Sequence, residues 1–227
     1  MKLHSLTVEQ TVGVKDWDGC IGYSAWVGRP AEKDSALIRL LRDAGAVPFV
    51  KTNVPITLLS FESASDVFGR TTNPHKQTHS PGGSTGGEAA LLAYGGSRIG
   101  IGTDVAGSVR VPAHYSGVYS VKASVGRFLK MGNSTSIPGQ EGVPPVYSPM
   151  ARTLEDLEYF WKAVMFMEPW KYDPSVRQYV CPARAENLNN LFSVPPNSVE
   201  KYRLVEEAID LGCDVGRRLI TLLLVSH

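Results

Sequence analysis

Residues 82–117 read GGSTGGEAALLAYGGSRIGIGTDVAGSVRVPAHYSG, and their interpretation decides the fold. The stretch opens on Gly82-Gly83-Ser84-Thr85-Gly86-Gly87, a Ser-Thr pair among glycines that leaves backbone N–H groups with little side-chain cover. Glu88 to Tyr94 then reads as a short helix. Ile99-Gly100-Ile101-Gly102 reads as a buried strand with two close backbone approaches. Behind that strand, Asp104-Val105-Ala106-Gly107-Ser108 forms a small-residue turn that ends on a second serine. Amides from Val105 to Ser108 can converge on one point and build an oxyanion hole. The helix and strand between Ser84 and Ser108 have the lengths that let the two loops meet.

Working outward, Asp34 to Gly45 reads as a helix capped by Asp34. Its apolar stripe is Leu37, Leu40, Leu41 and Ala44, and Gly45 ends it. Ala46-Val47-Pro48-Phe49-Val50 follows as a short buried strand. A helix closed by glycine and followed by a strand is an αβ unit and predicts a layered α/β fold. Residues 1–30 read as irregular, with short β-type runs such as Val12-Gly13-Val14. Residues 69–88 and 131–149 are Gly/Pro-rich and read as long loops, which often carry function. Leu154 to Met167 is an amphipathic helix with Thr153 as cap and Asp156 in the capping-box position. Beyond residue 177 the character changes, with helical stripes only between Ser198 and Val225.

Three chemistries compete for the glycine-rich loop. A phosphate-cradling loop needs a lysine near its end, and Glu88 stands there instead. Gly100-Ile101-Gly102 is not followed by a glycine at the dinucleotide-fingerprint spacing either. A nucleophile elbow matches the letters of Gly82-Gly83-Ser84-Thr85-Gly86. It needs a buried strand just before the serine, and Asn73 to Pro81 is not one. His114 is the obvious base for such an esterase, which stays open as an alternative. The third reading joins both serine loops in one acyl-transfer site.

Composition removes other classes. The 227 residues carry 23 Lys+Arg against 22 Asp+Glu, a net charge of +1, so nothing marks a polyanion-binding surface and nucleic acid is not an expected partner. Hydrophobic residues make up 43%, enough for a core. Cys20, Cys181 and Cys213 are scattered and suggest neither a disulfide framework nor zinc. His75, His79 and His114 lack ligand spacing, so no metal and no cofactor is expected. The opening MKLHSLTVEQ lacks the apolar stretch of a secretory signal. The longest apolar run, Leu219 to Val225, is far short of the roughly 20 residues a membrane span needs. A cytoplasmic protein without a membrane span is expected.

The quoted stretch resembles the signature segment of the amidase signature family. Flanking segments carry the same likeness: Gly45-Ala46-Val47-Pro48-Phe49-Val50-Lys51-Thr52-Asn53-Val54-Pro55, Phe68-Gly69-Arg70-Thr71-Thr72-Asn73-Pro74, and Ser148-Pro149-Met150-Ala151-Arg152. The likeness is to fungal acetamidase-type and fatty-acid-amide-hydrolase-type members and runs from about residue 6 to 177. The resemblance implies an α/β fold with a mixed central sheet flanked by helices. It implies hydrolysis of linear amide C–N bonds through a serine acyl-enzyme. Ser108 then corresponds to the nucleophile, and Ser84 to the middle serine of a Ser–Ser–Lys triad. Val105, Ala106, Gly107 and Ser108 correspond to the oxyanion-hole amides, with Ala106 where the family usually has glycine. The segment around Leu58 corresponds to a wall of the acyl pocket.

The family's catalytic lysine must be neutral at rest to take the proton from the middle serine. Ser5 to Lys15 aligns without a gap to the segment that carries it. Lys15 falls on a second, non-catalytic lysine, and Glu9 falls on the catalytic one. Lys15 reads as solvated and Lys51 as structural. Asp104 and Arg110 read as an ion pair holding the nucleophile turn, and Glu88 as a charge at a helix N-terminus.

Family members are considerably longer, so residues 1–177 read as a partial, truncated amidase-signature domain and 178–227 as a divergent tail. The expectation is an amidase with a small-molecule amide substrate and activity impaired by Glu9. An inactive amidase-like pseudoenzyme is the alternative. Substrate identity and oligomeric state have no sequence signal.

Overall fold

A computed structural model describes residues 5–140 and 142–178. Its centre is a five-stranded mixed sheet. The strands are β1 (Ser5–Glu9), β2 (Val47–Thr52), β5 (Ile99–Asp104), β6 (Tyr119–Ser120) and β7 (Val146–Ala151), in the order β2-β1-β5-β7-β6. β1 runs parallel to β2 and β5, and β7 runs antiparallel to β5 and β6. A separate hairpin pairs β3 (Ala64–Ser65) with β4 (Gly69–Arg70).

Side-chain alternation along β1 sorts the two faces. Leu6 and Val8 point into the main apolar core. There they meet Leu37, Ile38, Leu40 and Leu41 of α1 (Ala36–Asp43) and Phe160, Ala163 and Val164 of α4 (Leu154–Phe166). On the other side lie α2 (Gly86–Tyr94) and α3 (Arg110–Ser116), joined by Ala89, Leu92, Val109, Ala113 and Met150. Helices on both faces of a mixed sheet make the α/β layering that the αβ unit predicted.

The helix over 36–43 matches its stripe, but Ser35 rather than Asp34 is its cap, accepting from the Ile38 N–H at 3.4 Å. Asp34 instead accepts from the Lys15 N–H and pairs with Arg42. Thr153 caps α4 by accepting from the Asp156 N–H, as its sequence predicts.

Three segments differ from the expectation. Residues 5–9, read as irregular, form the second strand of the sheet, because Thr7 and Glu9 place polar groups on its buried face. The strand after α1 is an edge strand, with Val47 61% and Phe49 42% exposed. Its apolar run suggests full burial, but among the described residues β2 has a neighbour on one side only. The end of the 131–149 loop becomes β7, whose Pro149 hides a fully buried strand. The helical stripes of the tail, with Cys181 and Cys213, lie outside the described residues. No helix among the described residues is long and apolar enough to cross a membrane.

Candidate active site

Two glycines on β5 set the height of the site. A Cβ on Gly100 would strike the Glu88 carboxylate, and one on Gly102 would strike the Thr85 side chain. Their absence lets the start of α2 settle against the sheet. Thr85 is the N-cap residue of α2, so Ser84 stands where loop becomes helix. The Gly83–Ser84 peptide bond is cis. Ser108 lies between β5 and α3. The Thr85 N–H donates to the Ser108 carbonyl at 3.0 Å, which ties the two serine loops together. Ser84 and Ser108 both line one cavity of about 480 Å³.

The turn bearing Ser108 is organised by Asp104, the fully buried last residue of β5. Its carboxylate accepts the N–H of Gly107 at 2.9 Å and of Val109 at 3.1 Å. It also accepts both Nε and Nη2 of Arg110, at 3.1 and 2.9 Å. The expected ion pair exists and is two-pronged. Gly107 sits at φ +127°, a conformation that favours glycine. Val105, Ala106 and Leu58 line the cavity with the serines. Thr57 and Leu58 both adopt left-handed backbone, an unusual pair for a β-branched residue and a leucine. Leu59 also lines the cavity and is 71% exposed, so these leucines are wall rather than core.

Glu9 is fully buried at the end of β1. It accepts hydrogen bonds from the hydroxyls of Thr11 at 2.7 Å, Thr85 at 2.7 Å and Thr103 at 2.5 Å. No cation pairs with it among the described residues. Burial pushes its carboxyl above the ordinary carboxylate range, and the three hydroxyls only partly offset this. Ser84 Oγ is buried and has no hydrogen-bond partner among the described residues.

Glu88 is also fully buried, one turn into α2. Its carboxyl accepts from Thr7 and, at 2.8 Å, from Thr52. Burial raises it to about 8, with the neighbouring Glu9 adding to the rise. It is therefore a core acid under the helix rather than a solvated helix-end charge.

The lysines lie elsewhere. Lys15 is exposed. The Lys51 Nζ donates to the Gln10 carbonyl at 3.3 Å, and burial lowers it to about 8 against the pull of Asp18. His114 is exposed on α3 and does not line the cavity, and no strand runs directly into Ser84, so the elbow arrangement is not formed. Among the described residues no group of three or more His, Cys, Asp or Glu gathers as a metal site.

The Amidase family model matches residues 6–193. The chain belongs to the amidase family. Acetamidase from Aspergillus oryzae is 43% identical over 176 residues, covering 77% of this chain and 32% of the relative. Fatty-acid amide hydrolase 1 from Sus scrofa is 40% identical over 171 residues, covering 75% and 30%. A solved structure of fatty acid amide hydrolase superposes with a TM-score of 0.73 at 35% identity, over 78% of this chain and 32% of that one. The chain thus spans about a third of the length of the relatives it matches. The mixed sheet flanked by helices is the amidase-signature core of those structures.

Sequence reading missed the threonines around Glu9. Thr103 and Thr85 lie inside motifs whose serines and glycines carry the sequence signal. The alternation Leu6-Thr7-Val8-Glu9 held the signal for a buried polar face on β1. Asn133 and Tyr147, which also line the cavity, come from the 131–149 segment that reads as loop, and Lys130 stands just before it.

Proposed function

We propose that the protein hydrolyses linear amides through a Ser108 acyl-enzyme, at a rate limited by Glu9 at the position of the family's lysine. The observation that carries this reading is the convergence of Ser84 and Ser108 on one cavity, with the amide-rich turn beside them. Ser108 Oγ attacks the amide carbonyl, and its proton passes to Ser84. The amides of Val105, Ala106 and Ser108 face the developing oxyanion, while Gly107 donates its N–H to Asp104 and shapes the turn. The leaving amine departs with a proton, and water then cleaves the acyl-enzyme. The proton leaving Ser84 needs an acceptor. The Glu9 carboxyl, held by three threonines of which Thr85 adjoins Ser84, is the base the chain offers, and a poor one.

A second reading, an amide-binding pseudoenzyme, is favoured by the Ser84 Oγ, which has no partner among the described residues, and by the threonine cage that occupies Glu9. A fluorophosphonate probe with mass spectrometry of the labelled site separates the two. Labelling of wild type at Ser108, absent in Ser108→Ala, supports the enzyme. Labelling seen only after Glu9→Lys supports the pseudoenzyme.

A further inference from the structure

Ser63, the residue before β3, is fully buried and does not line the cavity. Its hydroxyl nevertheless sits inside the loop that carries Ser84. Ser63 Oγ accepts the Gly86 N–H at 2.9 Å. Its one hydrogen lies within reach of two carbonyls, Gly82 at 3.1 Å and Ser84 at 3.2 Å. Gly82, Ser84 and Gly86 are thus tied to one oxygen from a distant segment.

The start of α2 has no cap of its own. The first N–H groups of a helix find no acceptor within it. Thr85, at the N-cap, makes no capping bond, and its hydroxyl goes to Glu9. The Gly86 N–H takes Ser63 instead. Gly86 leaves room for this, since a Cβ there would strike Ser63 Oγ. Ser63 is held from behind, its carbonyl accepting the Thr71 N–H at 2.9 Å and the Asn53 Nδ2 at 3.3 Å. Ser84 Oγ has no partner among the described residues, so the backbone fixes the place of that hydroxyl. Ser60 and Phe61, on the same stretch as Ser63, line the cavity. One short segment therefore supplies a cavity wall and pins the Ser84 loop.

We propose that Ser63 is a positioning residue for amide hydrolysis, holding Ser84 where it can take the proton of Ser108. The proposal rests on the acyl-enzyme reading of the cavity. Ser63 touches no reacting atom and acts through the Ser84 backbone and the first turn of α2. Misplacing a reacting group by about 1 Å costs up to about a hundredfold in rate, with no change in the cavity that holds the ligand.

Ser63→Ala removes the oxygen, and Ser63→Cys replaces it by a sulfur that donates and accepts weakly. Fluorophosphonate labelling of the full chain at several probe concentrations separates the labelling rate constant from the binding constant of the probe. Ser63→Ala is expected to lower the rate constant about tenfold or more with the binding constant within about twofold of wild type, and Ser63→Cys to fall between. Deuterium exchange, read at single amides, tests the positioning without any reaction at Ser108. Exchange of the Gly86 N–H is expected to rise about tenfold in Ser63→Ala, while the amides of β1, β5 and β7 keep their wild-type protection. A wild-type rate constant in Ser63→Ala, a loss carried by the binding constant, an unchanged Gly86 N–H, or a rise spread evenly over the chain overturns the proposal. Where Ser63→Ala does not fold, Ser63→Cys is judged by the same readings. Wild type that does not label at Ser108 sinks the acyl-enzyme reading, and the Gly86 exchange then decides Ser63 by itself.

Discussion

Thr85 donates its hydroxyl hydrogen to Oε2 of Glu9 at 2.7 Å, one residue along the chain from a Ser84 Oγ that has no partner among the described residues. The Glu9 carboxyl is thus engaged beside Ser84 rather than with it.

The nucleophile assignment predicts loss of reactivity on removing either hydroxyl. Ser108→Ala is expected to abolish fluorophosphonate labelling and any amide turnover. Ser84→Ala is expected to slow labelling by on the order of a hundredfold or more. Kinetic labelling read by intact mass checks both. Unchanged labelling in Ser108→Ala would place the nucleophile elsewhere.

The role of Glu9 separates along two substitutions. Glu9→Lys installs an amine in the threonine cage, beside Glu88, and is expected to speed Ser108 labelling by at least about a hundredfold. Glu9→Gln keeps the shape and removes the base, and is expected to slow the residual labelling by about a hundredfold. A Glu9→Gln protein that labels as wild type does would remove the carboxyl from the mechanism.

Buried acids impose a pH signature on stability. The folded state raises Glu88 to about 8 from an ordinary carboxyl value of 4.5, so folding favours its protonated form. Stability from this source is fully present below about pH 4.5 and is lost as pH rises through about 8. Glu9, raised in the same direction, adds to the loss. Urea midpoints from pH 5 to 9 are expected to fall more steeply in wild type than in Glu88→Gln. Parallel slopes would mean that Glu88 is ionised in the fold without cost.

Asp104 anchors the Ser108 turn through backbone and guanidinium donors together. Asp104→Ala leaves a partly buried Arg110 side chain and three backbone N–H groups, of Gly107, Val109 and Arg110, without their acceptor. It is expected to cost about 3–5 kcal/mol in denaturant unfolding and to stop Ser108 labelling. Retained labelling at wild-type rate would show that the turn holds its shape without the carboxylate.

Several elements were legible before any coordinates. The stripe of α1, the cap of α4 and the glycine-spaced strand β5 follow local rules that a short window of residues contains. β1 was not legible, because a strand carrying Thr7 and Glu9 on its buried face looks polar until α2 is laid over it. β7 was not legible because Pro149 and the preceding Gly/Pro-rich run read as loop, whereas its strand geometry comes from pairing with β5 and β6. The exposure of β2 depended on sheet order, which no single segment carries.

The family resemblance carried by the sequence singles out the two serines and the placement of Glu9, and local spacing singles out the Asp104–Arg110 turn. Tertiary structure alone decided what those groups face. Residues far apart in the chain, Glu9, Thr85 and Thr103, meet only because β1 and β5 are parallel neighbours with α2 seated on them. The same packing brings Lys130 and Asn133 to the serine cavity. Spacing along a chain sets which groups are available. Burial and partners, which set their charge states and the ligands they can hold, arise only when distant segments close around them.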